Sequence, residues 1–199
     1  MAVISGSAGY VTYGSALDIT GITEASNAVI SVAATAGFTA GDRVIIRGVV
    51  GMTEINGLHG TVQSIVTDTS ITVDIDSQTF TTYVSDGTIT HTIDITGFSY
   101  TATAQVADVT DSSSATWKDF TPSGFQDFSG TFEGFVKSSI NPPDFGSAIT
   151  FGLYETDTAS ATGSGILTSK AVTLSIDGTS AVKVSYSFKG TGTITEANT

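Results

Sequence analysis

The sequence predicts an all-β protein, and two features of composition and one pattern lead to this fold class. The 199 residues include 34 threonines and 22 glycines. Threonine favours strands and glycine favours turns. Charged residues make up only 13% of the chain, against roughly 25% in ordinary domains. Several segments alternate apolar and polar residues with the period of a strand, so we expect at most one or two short helices.

The first clear element is a hairpin in residues 41–62, GDRVIIRGVVGMTEINGLHGTV. The β-branched run VII favours a strand. The glycines mark points where the backbone must bend, and Asn-Gly is a dipeptide favoured by tight turns. This turn signature comprises Gly48, Gly51, Met52, Asn56 and Gly57.

Two later segments are predicted strands with one buried face. In residues 127–137, the apolar face carries Phe128, Phe132 and Val136, whereas the polar face carries Asp127, Ser129, Thr131, Glu133 and Lys137, with Phe135 as an exception to the alternation. In residues 172–189, Asp177-Gly178 turns the chain between two strands. The apolar positions of this hairpin are Val172, Leu174, Ile176, Val182, Val184, Tyr186 and Phe188, and Lys183 and Lys189 lie on its polar face.

One short helix is predicted in residues 111–120. Its Asp-Ser start can cap a helix, and Pro122 would help to end it. Trp117 within this segment is expected to be a packing anchor.

The chain is predicted to contain an inserted module, residues 18–89, within a body made of residues 1–17 and 90–199. The turn sequence SDGT precedes a fresh alternating strand in residues 90–96. Both arginines, Arg43 and Arg47, lie inside the module, whereas all five lysines follow it.

Composition excludes several classes of function. The net charge is −12, with seven basic residues in all, which argues against tight nucleic-acid binding because phosphates require clustered cations. The absence of cysteine excludes disulfides and thiolate metal sites. No apolar run approaches the roughly 20 residues of a membrane helix, and the first residues lack a secretion signal. We therefore expect a soluble protein with no membrane partner.

No set of residues predicts catalysis, a metal or a cofactor. His59 and His91 lack metal-ligand neighbours, so strand or loop positions without function are expected. Asp74, Asp76 and Ser77 resemble part of a calcium loop, but its glycine and terminal glutamate are missing. We expect these three to be exposed residues at a strand end. No nucleophile, base and oxyanion donor come together, so we expect no enzyme.

Residues 19–87 resemble a known small β-barrel module. The resemblance rests on ITGIT, GDRVIIRGVVGMTEING and TTYVSDG. This module recurs as an insertion in phage tail proteins and resembles the first catalytic-cysteine half-domain of ubiquitin-activating enzymes. Thioester chemistry is excluded here because the chain has no cysteine.

Two later segments resemble siphophage major tail tube proteins. Residues 106–136, VADVTDSSSATWKDFTPSGFQDFSGTFEGFV, are similar to the signature region of that family, and residues 163–195 are similar to its closing hairpin. The resemblance implies a tail-tube-type β-sandwich or barrel body carrying an inserted small β-barrel domain. A minimal tube protein lacks this insertion.

The resemblance implies a structural virion protein, made in the host cytoplasm and located in the phage tail. Its main partner would be itself: six-membered rings join their inner sheets into a barrel and stack into a tube, which also pairs edge strands. Further implied partners are the tape measure, tail terminator and distal tail proteins. Phage DNA would pass through the lumen during ejection without specific binding.

The lumen wall should be uncharged or negative, since a basic wall would retard phosphate. The acidic candidates are Asp94, Asp127 and Glu133, for which ordinary solvent-facing positions are the alternative. Lys183 and Lys189 are expected at a subunit contact or on the exterior. The module is expected outside the tube, with a purely structural turn at residues 48–57. The alternative is that the module contacts the next ring or a host surface.

Two other functions remain open from the sequence. One is a β-rich receptor- or carbohydrate-binding virion protein, and the other is a single-ring tail component such as a tail terminator. Concentration-dependent polymerisation would distinguish a tube subunit from both.

Overall fold

The computed structural model describes residues 10–35, 37–93, 95–113, 116–136, 143–154, 160–173 and 182–197. Within these residues the chain forms twelve strands and one three-residue 3-10 helix, Thr53–Ile55, which confirms the all-β prediction. The strands are β1 (Tyr10–Ile22), β2 (Val29–Val32), β3 (Arg43–Arg47), β4 (His59–Val66), β5 (Ser70–Val73), β6 (Thr88–Ile93), β7 (Ile95–Asp108), β8 (Phe120–Val136), β9 (Ala148–Tyr154), β10 (Ser160–Thr173), β11 (Val182–Gly190) and β12 (Thr195–Ala197).

Six of the strands close into a small barrel. Their order is β2-β5-β4-β3-β6-β1, and β1 returns to pair with β2. All of these pairs are antiparallel, and a closed ring of strands leaves no open edge. The predicted hairpin of residues 41–62 is confirmed as β3 and β4, paired from Arg43↔Thr61 to Ile45↔His59.

The other strands extend from β1 as a sheet in the order β1-β9-β10-β11-β8-β7, and β12 pairs with β10. The sheet curls, since the rings of Phe98 on β7 and Phe151 on β9 lie 5.2 Å apart. β7 and β8 form a long hairpin of 14 and 17 residues. β7 is the last strand in this order, so no other described strand pairs with its outer edge.

Strands β1 and β6 connect the barrel to the sheet. The first residues of β1 pair with β9, from Tyr10↔Gly152 to Tyr13↔Ile149, and its last residues pair with β2. A bulge between Tyr13 and Leu17 bends the strand, with Gly14 at a φ of +72°. The expected module boundaries, after residues 17 and 89, therefore fall inside two continuous strands.

Each half of the fold has its own buried cluster. The barrel cluster is aliphatic apart from Phe38, and its buried members are Ile19, Ala28, Ile30, Val32, Phe38, Val44, Ile46, Val49, Met52, Ile55, Val62, Ile71, Val73, Ile75 and Ile89. The sheet cluster is rich in rings, and its buried members are Val11, Ile93, Phe128, Phe132, Ile149, Phe151, Leu167, Val184, Tyr186 and Phe188.

Strand glycines make room for buried aromatic rings of the sheet. A Cβ added at Gly190 would lie 2.2 Å from the ring of Phe128, and one at Gly152 would lie 2.4 Å from the ring of Tyr10. Such distances are far shorter than a van der Waals contact. The glycines are therefore needed for close approach of a ring to the backbone.

The prediction of a helix in residues 111–120 is wrong. The described residues there are turns and bends, and Phe120 begins β8. Asp108 Oδ1 accepts hydrogen bonds from the backbone N–H and hydroxyl of Thr110, and Asp111 Oδ1 accepts both from Ser113. Short polar side chains that can cap a helix also close local turns, and here the turns form.

The alternation predicted for the two later strands is largely confirmed. Phe128 and Phe132 of β8 are buried, as are Val184, Tyr186 and Phe188 of β11. Val172 was expected in the core, but its side chain is 52% exposed and is not part of the sheet cluster. It lies one residue before the end of β10. The predictions for Lys137, Leu174, Ile176 and Asp177-Gly178 lie outside the described residues.

We predict that Gly190→Ala destabilises the protein by about 1–3 kcal/mol, the usual cost of overpacking a core. The added methyl group must displace the ring of Phe128. The matched control is Gly97→Ala, where an added Cβ meets nothing within 4 Å, so its effect should stay within about 0.5 kcal/mol. Urea unfolding of the full chain measures both, and equal shifts would contradict the prediction.

Candidate functional site

The candidate site is the exposed face of strands β7, β8 and β11, here called the polar face. Register places Ser99 of β7 opposite Thr131 of β8, and Thr131 opposite Ser187 of β11. The hydroxyl oxygens of Ser99 and Thr131 lie 2.9 Å apart. The face consists of Ser99, Thr101, Thr103, Asp127, Ser129, Thr131, Glu133, Lys183, Ser185, Ser187 and Lys189.

The opposite face of the same three strands forms the aromatic core. Phe132 of β8 stacks on Tyr186 of β11, with ring centroids 4.8 Å apart, and Phe98 of β7 lies 5.6 Å from Phe188. Successive residues in a strand point to opposite faces. The buried rings therefore hold the hydroxyl and charged side chains on the exposed face.

Two ion pairs cross from β8 to β11 on the polar face. Lys189 Nζ lies 3.3 Å from Asp127 Oδ2, and Lys183 Nζ lies 2.6 Å from Glu133 Oε2. The exposed fractions of these side chains are 66% and 57% in the first pair and 45% and 43% in the second. Exposed pairs of this kind contribute about 0–1 kcal/mol to stability.

The position expected for the two lysines, at a subunit contact or on the exterior, stays a prediction, but they do not lie apart from the acidic candidates. Lys183 and Lys189 share the face of Glu133 and Asp127, because β11 is the antiparallel neighbour of β8. The four side chains have no net charge at neutral pH, so this face is not acidic. Asp94, the third acidic candidate, lies outside the described residues.

A signal for this pairing was present in the sequence. The two acidic residues are six positions apart, and so are the two lysines. Equal spacing on two antiparallel neighbours lets both pairs form at once. The signal could be used only once β8 and β11 were known to be neighbours.

The far end of the β7–β8 hairpin forms an exposed arm. From Thr101 onward β7 is exposed almost throughout. On the facing part of β8, Phe128 lies opposite Ala102 and packs in the sheet cluster, whereas the described side chains between it and the tip are exposed. Trp117, expected to be a packing anchor, is instead 87% exposed. The large apolar side chains exposed at the arm tip are Val106, Val109, Trp117 and Phe120.

The turn signature has a structural role in the barrel. Asn56 accepts a hydrogen bond from the Val49 N–H at 2.8 Å and donates one to the Val49 carbonyl at 2.9 Å. Met52 is fully buried. Glycines at 48, 51 and 57 have φ values of +72°, +90° and +82°, which glycine adopts without strain.

A buried polar cluster lies where the barrel meets the sheet. The ring of His91 lies between those of Phe38 and Tyr13, at centroid distances of 3.9 and 5.2 Å. His91 Nε2 lies 3.2 Å from Asp42 Oδ2, which also accepts a 2.6 Å hydrogen bond from the Thr39 N–H. Burial and the nearby Asp42 raise the pKa of Tyr13 to about 12. The cluster links β1, β6 and the segment before β3.

The three residues that resemble part of a calcium loop make hydrogen bonds within the barrel. Asp74 and Asp76 are exposed, as expected, and accept hydrogen bonds from the backbone N–H groups of Thr61 and Gln78. Ser77 was expected to be exposed but is fully buried, and its hydroxyl contacts Thr23 and Ala25. Among the described residues, no three acidic or histidine side chains come together as a metal site.

Comparison with known proteins gives one family match. Residues 25–92 match the family described as the ubiquitin-activating enzyme E1 FCCH domain, in agreement with the module resemblance. No curated protein matches the chain. One similar solved structure is the tail of an empty GTA particle with C6 symmetry; it has 14% identity and a TM-score of 0.41, and covers 52% of this chain and 81% of that one. A likeness this distant does not assign a function.

No helix in the described part of the chain has the length and apolar character needed to cross a bilayer.

We predict that Asn56→Ala destabilises the barrel by about 1–3 kcal/mol, because it leaves the buried backbone groups of Val49 without their partners. Asn56→Asp keeps the acceptor for the Val49 N–H but places a carboxylate oxygen against the Val49 carbonyl, so its effect should be at least as large. Glu24→Ala, at an exposed position, is the control. Thermal unfolding that ranks the three changes otherwise would contradict this role.

Proposed function

We propose that this chain is a structural virion protein, the major tail tube subunit of a siphophage. It forms six-membered rings that stack into a tube, and the lumen conducts phage DNA during ejection. The proposal rests on the sequence resemblance of residues 106–136 and 163–195, and on the geometry of the sheet.

The observation that supports it best is the construction of β7, β8 and β11. One face of these strands is buried against aromatic rings, the other carries hydroxyls and balanced charges, and β7 ends the sheet with an unpaired outer edge among the described strands. A long edge strand invites pairing with another chain. Pairing between copies would close the sheets into a ring whose polar faces line a common channel.

The arm gives a reason for rings to stack. A two-stranded ribbon is marginally stable alone in water, and exposed apolar patches mark interaction sites. We propose that the arm tip, with Trp117 at 87% exposure, contacts the next ring. The partners at the tube ends are then the tail terminator and distal tail proteins, and the tape measure protein is a further tail partner.

The barrel is proposed to decorate the outside of the tube. Its strands close on themselves, so it offers no open edge to a ring seam. The mature protein is proposed to reside in the virion and to have no catalytic activity.

Negative-stain electron microscopy of the purified full chain, across a concentration series, tests the proposal. We expect hollow tubes whose length grows with concentration. Compact particles at every concentration, including after addition of a tail initiator complex, would contradict it. Single rings that never stack would instead indicate a terminator-like component.

We predict that Trp117→Ala leaves rings intact but raises the concentration needed for tubes about thirtyfold. Truncating a central interface tryptophan costs about 2 kcal/mol or more. The control is Val66→Ala, which removes an exposed apolar side chain from the barrel and should leave assembly unchanged. Tubes that form normally with Trp117→Ala would exclude the arm tip from stacking.

A second candidate is a receptor- or carbohydrate-binding virion protein, and the exposed ring of Trp117 favours it. Aromatic faces stack on sugars, and Phe120, 56% exposed, lies near the same tip. Glycan binding by a stable monomer or trimer, lost in Trp117→Ala, would support this candidate over the tube.

A further inference from the structure

The ion pairs of the polar face have a geometry that a purely repulsive channel wall does not need. Each lysine of β11 reaches a carboxylate of β8, and all four side chains are between 43% and 66% exposed. A wall selected only to repel phosphate would omit the lysines. The lysines therefore require an explanation of their own.

Exposed ion pairs exchange readily, because solvent screens them and their net stabilisation is small. A phosphate that approaches Lys183 or Lys189 can replace the carboxylate at little cost. The carboxylate returns when the phosphate moves on. Each carboxylate thus competes with phosphate for its lysine and limits how strongly that lysine can hold DNA.

We propose that the polar face is a sliding surface for nucleic-acid phosphates, on which Asp127 and Glu133 act as internal competitors for Lys189 and Lys183. This inference rests on the proposed function and names the residues that meet the DNA. Exchange between carboxylate and phosphate gives a weak, transient contact that neither repels the DNA nor retains it.

The spacing of the two pairs keeps the contact weak. Asp127 and Glu133 are six residues apart on β8, or roughly 20 Å at about 3.3 Å per residue. Phosphates of duplex DNA follow one another every ~1.7 Å along the axis. One copy therefore offers two separate contacts, and hydroxyl groups such as those of Ser129, Thr131 and Ser187 occupy the surface between them.

Removing the competitors should turn the surface into a binding site. The variant Asp127→Asn with Glu133→Gln keeps the shape of both side chains and frees both lysines. We expect tighter binding of a fluorescent 20-base-pair DNA duplex, measured by anisotropy in increasing NaCl. The slope of log affinity against log salt should steepen by up to about 1.8, which corresponds to about 0.9 for each of two phosphates.

The matched control is Asp18→Asn with Glu24→Gln. It makes the same change in net charge at two exposed barrel positions and leaves both lysine pairs intact. Adding Lys183→Ala and Lys189→Ala to the first variant should return DNA binding to the wild-type level or below. Equal gains in the variant and its control, or a gain that survives loss of the lysines, would overturn the proposal.

The outcomes also separate this inference from the tube proposal. Wild-type tubes together with an Asp127→Asn, Glu133→Gln variant that folds but gains no DNA binding would overturn only the sliding surface. Lysine-dependent DNA binding by that variant, without wild-type tubes at any concentration, would support the surface and contradict the tube. Circular dichroism and urea unfolding of each variant confirm that it is folded before binding is measured.

Discussion

The register between β8 and β11 is the constraint on which the rest of the sheet depends. Phe132 stacks on Tyr186 on the buried face, while Lys189 and Lys183 meet Asp127 and Glu133 on the exposed face. A slip of one residue would move every side chain to the wrong face. The aromatic core therefore fixes the charge pattern on the opposite face.

Aromatic packing fixes that register only because the backbone allows it. The ring of Phe128 occupies the space that a Cβ at Gly190 would need. The ring of Tyr10 occupies the space that a Cβ at Gly152 would need. Each ring thus has a glycine partner on another strand, so a shifted register would place rings against side chains. The strand register is therefore specified by the glycines, which have no side chain, as well as by the rings that pack over them.

The sequence was sufficient for the fold class and for strands β3, β4, β6, β8 and β11, because β-branched runs and period-two alternation report local burial directly. The sequence was not sufficient where a residue's environment depended on its neighbours in the folded chain. The arm tip contains Asp, Ser and Trp residues that suit a helix start, but their hydrogen bonds close turns instead, and Trp117 is left exposed. Likewise, the charges of β8 and β11 were correctly assigned to polar faces, but their pairing required the strand order, which residue patterns alone do not give.

The strand order also explains how an acidic chain can present a neutral face. The net charge is −12, yet the four charged residues of the polar face balance. Residues 18–89 hold eight carboxylates and two arginines, so half of the net charge belongs to the segment that forms most of the barrel. Net charge keeps proteins soluble and apart, and in the proposed tube the neutral, hydroxyl-rich face would let a polyanion pass close to the protein. β1 and β6 connect the barrel to the sheet, and Tyr13 of β1 stacks on His91 of β6. The two charge environments therefore belong to different strands of one chain.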